Sequence, residues 1–348
     1  MHRLTVRIFT LCLGLLLSAQ ALATQAGWRR VDVPDAKPDA PAIPVVLLYP
    51  TQASASAVAM GPFNLQVAAQ APPDAAFKGL IVLSHGTGGS ELGHSSLAEA
   101  LARHGYLVAA LRHPGDNWQD RSLLQIDPAH YFNERPRQVS RVIDALLGLP
   151  DWGPRIASDA RGPRIGAIGH SAGGYTVLAL AGGEAQLSRI TAHCAARRSE
   201  DPIFCSMGRA SPPATGAEAA PPPAPPHAPA SPSTADARVR AVVALAPLGV
   251  VFSAASLARI RVPTLIYEAE HDRFLVPTFH SEWIARHVPG IELRRVSKAW
   301  HFAFMDRPNM AIPTEDGDIA ADPPGFDRPA LLHRLQQELP VYFDQRFR

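Results

Sequence analysis

The sequence predicts an α/β protein: a mostly parallel central sheet with flanking helices. Three observations carry that expectation. From about residue 80 short apolar runs alternate with segments of helical period, the pattern of a parallel sheet covered on both faces. Each run ends in Gly, Pro, Asp or another turn residue. Two further runs near the N-terminus, "IPVVLLYPT" and "FNLQVAAQ", read as antiparallel strands added to one edge.

The first 23 residues carry Arg3 and Arg7, an apolar stretch from Ile8 to Leu17 and the small-residue ending Ala21-Leu22-Ala23. That is the layout of a secretory signal peptide cleaved after Ala23. The stretch falls well short of the roughly 20 apolar residues a spanning helix needs, so stable membrane insertion is not expected. The expected location is soluble and secreted or periplasmic, with residues 24–348 forming one domain. Losing Arg3 and Arg7 takes the formal net charge from +2 to zero, so charge gives no argument for a nucleic-acid or anionic-membrane partner, and no nucleic-acid partner is expected. Cys12 leaves with the leader. Cys194 and Cys205 remain, an even count in an oxidising compartment, and are expected to pair; two buried free thiols are the alternative.

Next, "GLIVLSHG" reads as a buried strand, and "SSLAEALARHG" as a helix with Leu97, Ala98, Leu101 and Ala102 on its apolar face. "YLVAALRH" is a second parallel strand. "RPRQVSRVIDALLGL" is a helix by the spacing of Val139, Val142, Ile143, Leu146 and Leu147, and "PRIGAIGH" is the strand after it. "RVRAVVALAP", "VPTLIYEAEHD" and "IELRRVSKAWHF" are three more strands, with a helix in "FHSEWIARHV" before the last. Residues 209–237 stand apart, with nine prolines between Pro212 and Pro232 and almost no large apolar side chain. Such a segment buries too little area to offset its ordering entropy, and is expected to be a disordered surface insertion within the single domain.

"GHSAGG" lies between a strand and a helical run, the context of a Gly-x-Ser-x-Gly nucleophile turn. A serine hydroxyl is a weak nucleophile at neutral pH; it needs a base, an acid to orient that base, and donors for the oxyanion it creates. Ser171 is the expected nucleophile, with Gly169 and Gly173 keeping Cβ atoms out of the turn. "LSHGTGGS" ends the first parallel strand, so the N–H groups of Thr87 and Ala172 are the expected oxyanion donors. Among fourteen histidines, chain order Ser, acid, His selects His301, which follows the last strand. His271, His280 and His287 are rivals; the last two fall in a helical stretch and are expected to be solvated. Asp272, just past a strand's C-terminal end, is the expected acid. Glu268 and Glu270, expected on the strand itself, are its rivals.

These pieces resemble the α/β-hydrolase superfamily, and within it the secreted dienelactone-hydrolase-like and platelet-activating-factor-acetylhydrolase-like serine esterases. The matching stretches are "LSHGTGGSELGHSSLAEALARHGYLVAALRHPGD", "GHSAGG", "EAEHD" and "WHF". Two departures matter. Dienelactone hydrolases carry a Cys where Ser171 stands, and the strand after the nucleophile helix ends in Ala246 and Pro247, where the acetylhydrolases have their acid. Only about fifteen residues separate "VVALAP" from "VPTLIYE", too few for a helical cap. The resemblance implies an α/β-hydrolase fold with an open site, acting on a small or extended ester without metal or organic cofactor. A lipid esterase, a peptidase, an acyltransferase and a non-catalytic exported binding protein remain as alternatives, and oligomeric state is open.

Overall fold

The computed structural model describes residues 24–35, 40–207, 233–314 and 317–348. The signal peptide expected at 1–23 and most of the insertion expected at 209–237 lie outside them. Ten strands form one sheet: β1 (Gln25–Val33), β2 (Ile43–Thr51), β3 (Ser56–Met60), β4 (Phe63–Ala69), β5 (Leu80–Ser84), β6 (Leu107–Leu111), β7 (Ile165–His170), β8 (Val239–Leu245), β9 (Thr264–Ala269) and β10 (Glu292–Val296). Their order is β10-β9-β8-β7-β5-β6-β2-β1-β4-β3. Strands β5 to β10 run parallel to one another, while β2 pairs antiparallel with both β6 and β1.

The central strands are buried on both faces, which is why "LIVLS" and "LVAAL" read as unbroken apolar runs. Alternate residues feed two cores. Val82 and Ala167 face the core covered by α2 (Pro128–Gly148) and α3 (Ala172–Leu180), through Val139, Val142, Tyr175 and Leu178. Ile81, Leu83 and Ile168 face the other, covered by α1 (Ser95–Arg103) and the C-terminal α6 (Arg328–Arg346), through Leu97, Leu101, Leu335 and Phe343. Two further helices, α4 (Leu187–Arg197) and α5 (Ser281–His287), follow α3 and β9 in the chain. No helix among the described residues is long and apolar enough to cross a membrane.

Register brings the chemistry together. Ser84 of β5 lies level with Gly169 of β7, His170 of β7 with Leu245 of β8, and Leu245 with Tyr267 of β9. The loops after β5, β7, β8 and β9 therefore emerge side by side at the C-terminal edge of the sheet, where open α/β sheets collect ligand groups. Cys194 and Cys205 are joined in a disulfide that closes the chain after α4.

Candidate active site

Ser171 links β7 directly to α3 and has φ +58° and ψ −118°, a backbone conformation that non-glycine residues rarely adopt. The strain is held from both sides: Ser171 N–H donates to the Leu245 carbonyl at 2.9 Å, and its carbonyl accepts from Leu248 N–H at 3.1 Å. The flanking glycines are steric requirements. A Cβ on Gly169 would overlap the Gly173 carbonyl, and one on Gly173 would overlap the Ser84 carbonyl. The turn thus presses against the end of β5, and a Cβ built on Gly86 would lie 3.0 Å from that of Ser171.

His301 opens a short 3-10 turn (His301–Phe304) after β10, and Asp272 lies three residues past the end of β9. Both are buried, and His301 Nδ1 donates to Asp272 Oδ2 at 2.7 Å. The other carboxylate oxygen accepts from Leu275 N–H at 2.8 Å, which fixes the acid's orientation. Phe274 stacks on the His301 imidazole, ring centres 5.2 Å apart. His170, next to Ser171 in the chain, donates from Nε2 to the His301 carbonyl at 3.0 Å, tying the Ser171 turn to the loop that carries the imidazole. Burial, and then the proximity of His301, pushes the His170 pKa well below the ordinary imidazole value, so His170 is a neutral strut.

The rival acids are committed elsewhere. Glu268, buried on β9, accepts from Ser281 Oγ at 2.7 Å and from Arg295 Nε at 2.6 Å. Glu270 lies just beyond the strand, not on it, because β9 ends at Ala269; it accepts from Ser297 Oγ and Lys298 N–H, each at 2.8 Å. The expectation of a solvated His280 is corrected. His280 is fully buried, its Nδ1 accepting from Gly249 N–H at 3.1 Å and its Nε2 donating to Asp201 at 3.0 Å. His271 is exposed beside Glu270, and His287 caps onto the Trp283 carbonyl.

Thr87 lies in the loop after β5, whose anchor sequence reasoning missed. Fully buried Arg135 of α2 donates to the His85 carbonyl and to Asp116 Oδ2, and Asp116 Oδ1 accepts from Gly88 N–H at 2.9 Å. Tyr131 donates its phenolic hydrogen to Asp116 at 2.9 Å; burial and the Asp116 charge raise its pKa, so it stays a donor. The Thr87 hydroxyl, 2.7 Å from the Tyr131 oxygen, must then donate to it, which ties Thr87 to α2. The Thr87 backbone N–H donates to no described residue. Ala172 begins α3, so its N–H has no acceptor within the helix. Beneath the loop, His85 accepts from His113 N–H at 3.1 Å and donates from Nδ1 to the Gly86 carbonyl at 2.7 Å. The signal in the sequence was Arg135 on the apolar stripe of α2, four residues after Tyr131 and four before Val139.

The model of the alpha/beta hydrolase family matches residues 81–312. Among solved structures the chain is similar to the ferulic acid esterase from Streptomyces cinnamoneus, with 19% identity over 94% of this chain and 91% of that one and a TM-score of 0.57. It is also similar to the dienelactone hydrolase from Anabaena variabilis, with 14% identity over 93% of this chain and all of that one and a TM-score of 0.48. No curated protein matches it.

Proposed function

The chain belongs to the alpha/beta hydrolase family, and on that premise we propose that it is a serine carboxylester hydrolase working through an acyl-enzyme. Ser171 Oγ attacks the acyl carbon of a small or extended ester while His301 Nε2 takes its proton. Asp272 holds the Nδ1–H tautomer and stabilises the imidazolium. The N–H groups of Thr87 and Ala172 receive the oxyanion. His301 returns the proton to the departing alcohol; it then deprotonates a water, which releases the acid and frees Ser171.

The observation that carries this reading is the 2.7 Å bond from His301 Nδ1 to Asp272, tied through His170 to a serine at positive φ. Ferulic acid esterase activity is that of the Streptomyces protein; its likeness, at 19% identity, supports the fold alone. The disulfide, and the lack of a membrane-crossing helix among the described residues, are compatible with the secreted location we propose. The test is hydrolysis of p-nitrophenyl acetate by the purified protein and by Ser171→Ala. Turnover that disappears in the variant supports the reading; a wild type without turnover, or a variant that keeps it, refutes it.

A further inference from the structure

A concavity open to solvent lies between α4 and α5. Its volume is about 730 Å³, and its lining includes Arg189, His193 and Arg197 of α4 and Phe279, Trp283 and Arg286 from and just before α5. Positions 189, 193 and 197 recur every four residues, which sets three basic side chains on one face of α4. Among the described residues no Asp or Glu lines the cleft.

Arg197 and Arg286 have partners in Glu200 and Glu282. Arg189 pairs with no carboxylate among the described residues: its Nε donates to the Val250 carbonyl at 3.1 Å and its guanidinium lies 4.7 Å from the centre of the Trp283 ring. Partial burial lowers the Arg189 pKa from the usual guanidinium range, and no carboxylate among the described residues offsets that cost. The walls are fixed. Trp283 Nε1 donates to the Phe252 carbonyl at 2.9 Å, His193 Nε2 donates to buried Asp201 at 2.9 Å, and the disulfide ties Cys194 of α4 to Cys205.

We propose that this cleft is a binding site for an aromatic carboxylate, its ring beside Phe279 and Trp283 and its charge on Arg189. A planar guanidinium matches a carboxylate's geometry, and the aromatic walls match a flat apolar body. Neither Ser171, His301, Asp272 nor Thr87 lines it, so the site goes beyond the esterase reading and does not depend on it.

Isothermal titration with 2-naphthoate, and with 2-naphthamide as its uncharged counterpart, tests the assignment. The expected result is one naphthoate site with roughly tenfold or greater preference over the amide. In Arg189→Gln that affinity should drop roughly tenfold or more while the thermal midpoint stays unchanged. No naphthoate binding, equal affinity for the amide, or unaltered affinity in a folded Arg189→Gln overturns it. The naphthoate-to-amide ratio on the unmodified protein decides the matter even if the variant misfolds. Titration requires no turnover, so a protein inactive on esters that still binds naphthoate would refute the esterase reading alone.

Discussion

At the scale of single residues, the tight turn at 169–173 was legible because its constraint is local: only Gly tolerates the contacts at 169 and 173, and Ser171 is what they surround. The placement of Asp272 just past a strand end was legible in the apolar run before it. His280 was not, because its partner Asp201 lies 79 residues away in sequence and no periodicity links them. The separation between the three candidate acids gives a sharp expectation. Asp272→Asn should lower kcat by about 10⁴-fold, since an amide that donates toward His301 favours the wrong imidazole tautomer. Glu270→Gln should leave kcat nearly unchanged, because its partners are Ser297 and Lys298. Comparing steady-state rates on one ester checks both, and a near-normal Asp272→Asn would remove that residue from the role.

At the scale of elements, α1 and α2 announced themselves through apolar stripes, whereas α4 did not: its stripe of Leu187, Ile190 and Cys194 is short and none of the three is fully buried. α6 carries Leu331, Leu335, Leu339 and Phe343 at four-residue spacing, yet Pro340 inside it and its many charged residues hide the pattern. The loop after β5 is held by α2 through Tyr131, and removing the phenolic oxygen leaves the Thr87 hydroxyl without its acceptor. Tyr131→Phe is expected to lower kcat by roughly tenfold with KM little changed, less than the 10²–10³ of deleting an oxyanion donor outright. A fall in affinity with kcat intact would assign Tyr131 to binding. The disulfide spans 11 positions, a short loop worth about 3 kcal/mol in the chain-entropy account. Cys194→Ser with Cys205→Ser should therefore lower the calorimetric midpoint by roughly 5 °C. An unchanged midpoint would mean the crosslink restrains nothing.

Across the whole molecule, the parallel centre of the sheet was readable because burial on two faces leaves only apolar residues. β1, "QAGWRRVDV", was missed because its central residues are only partly buried and carry two arginines. The same deep burial sets the acid stability. His85, His94, His113 and His170 are buried with pKa values pushed down, chiefly by desolvation, that of His94 to about 4. Their folded pKa values lie below the unfolded value of 6.5, so between the two the unfolded chain binds more protons. Stability is then full above pH 6.5 and is lost as pH falls from 6.5 toward 4. Glu99 and Asp306, raised by burial, act in the opposite sense, two groups against four. Calorimetry from pH 7.5 to 4.5 should show a falling midpoint; a flat profile would mean these imidazoles are not held neutral. The most direct test of the central claim is the covalent one: treat the intact protein with a fluorophosphonate and locate the adduct by peptide mass spectrometry. Stoichiometric phosphonylation of Ser171, abolished in His301→Ala, is the predicted result, and an unlabelled protein, or an adduct on any other residue, would contradict it.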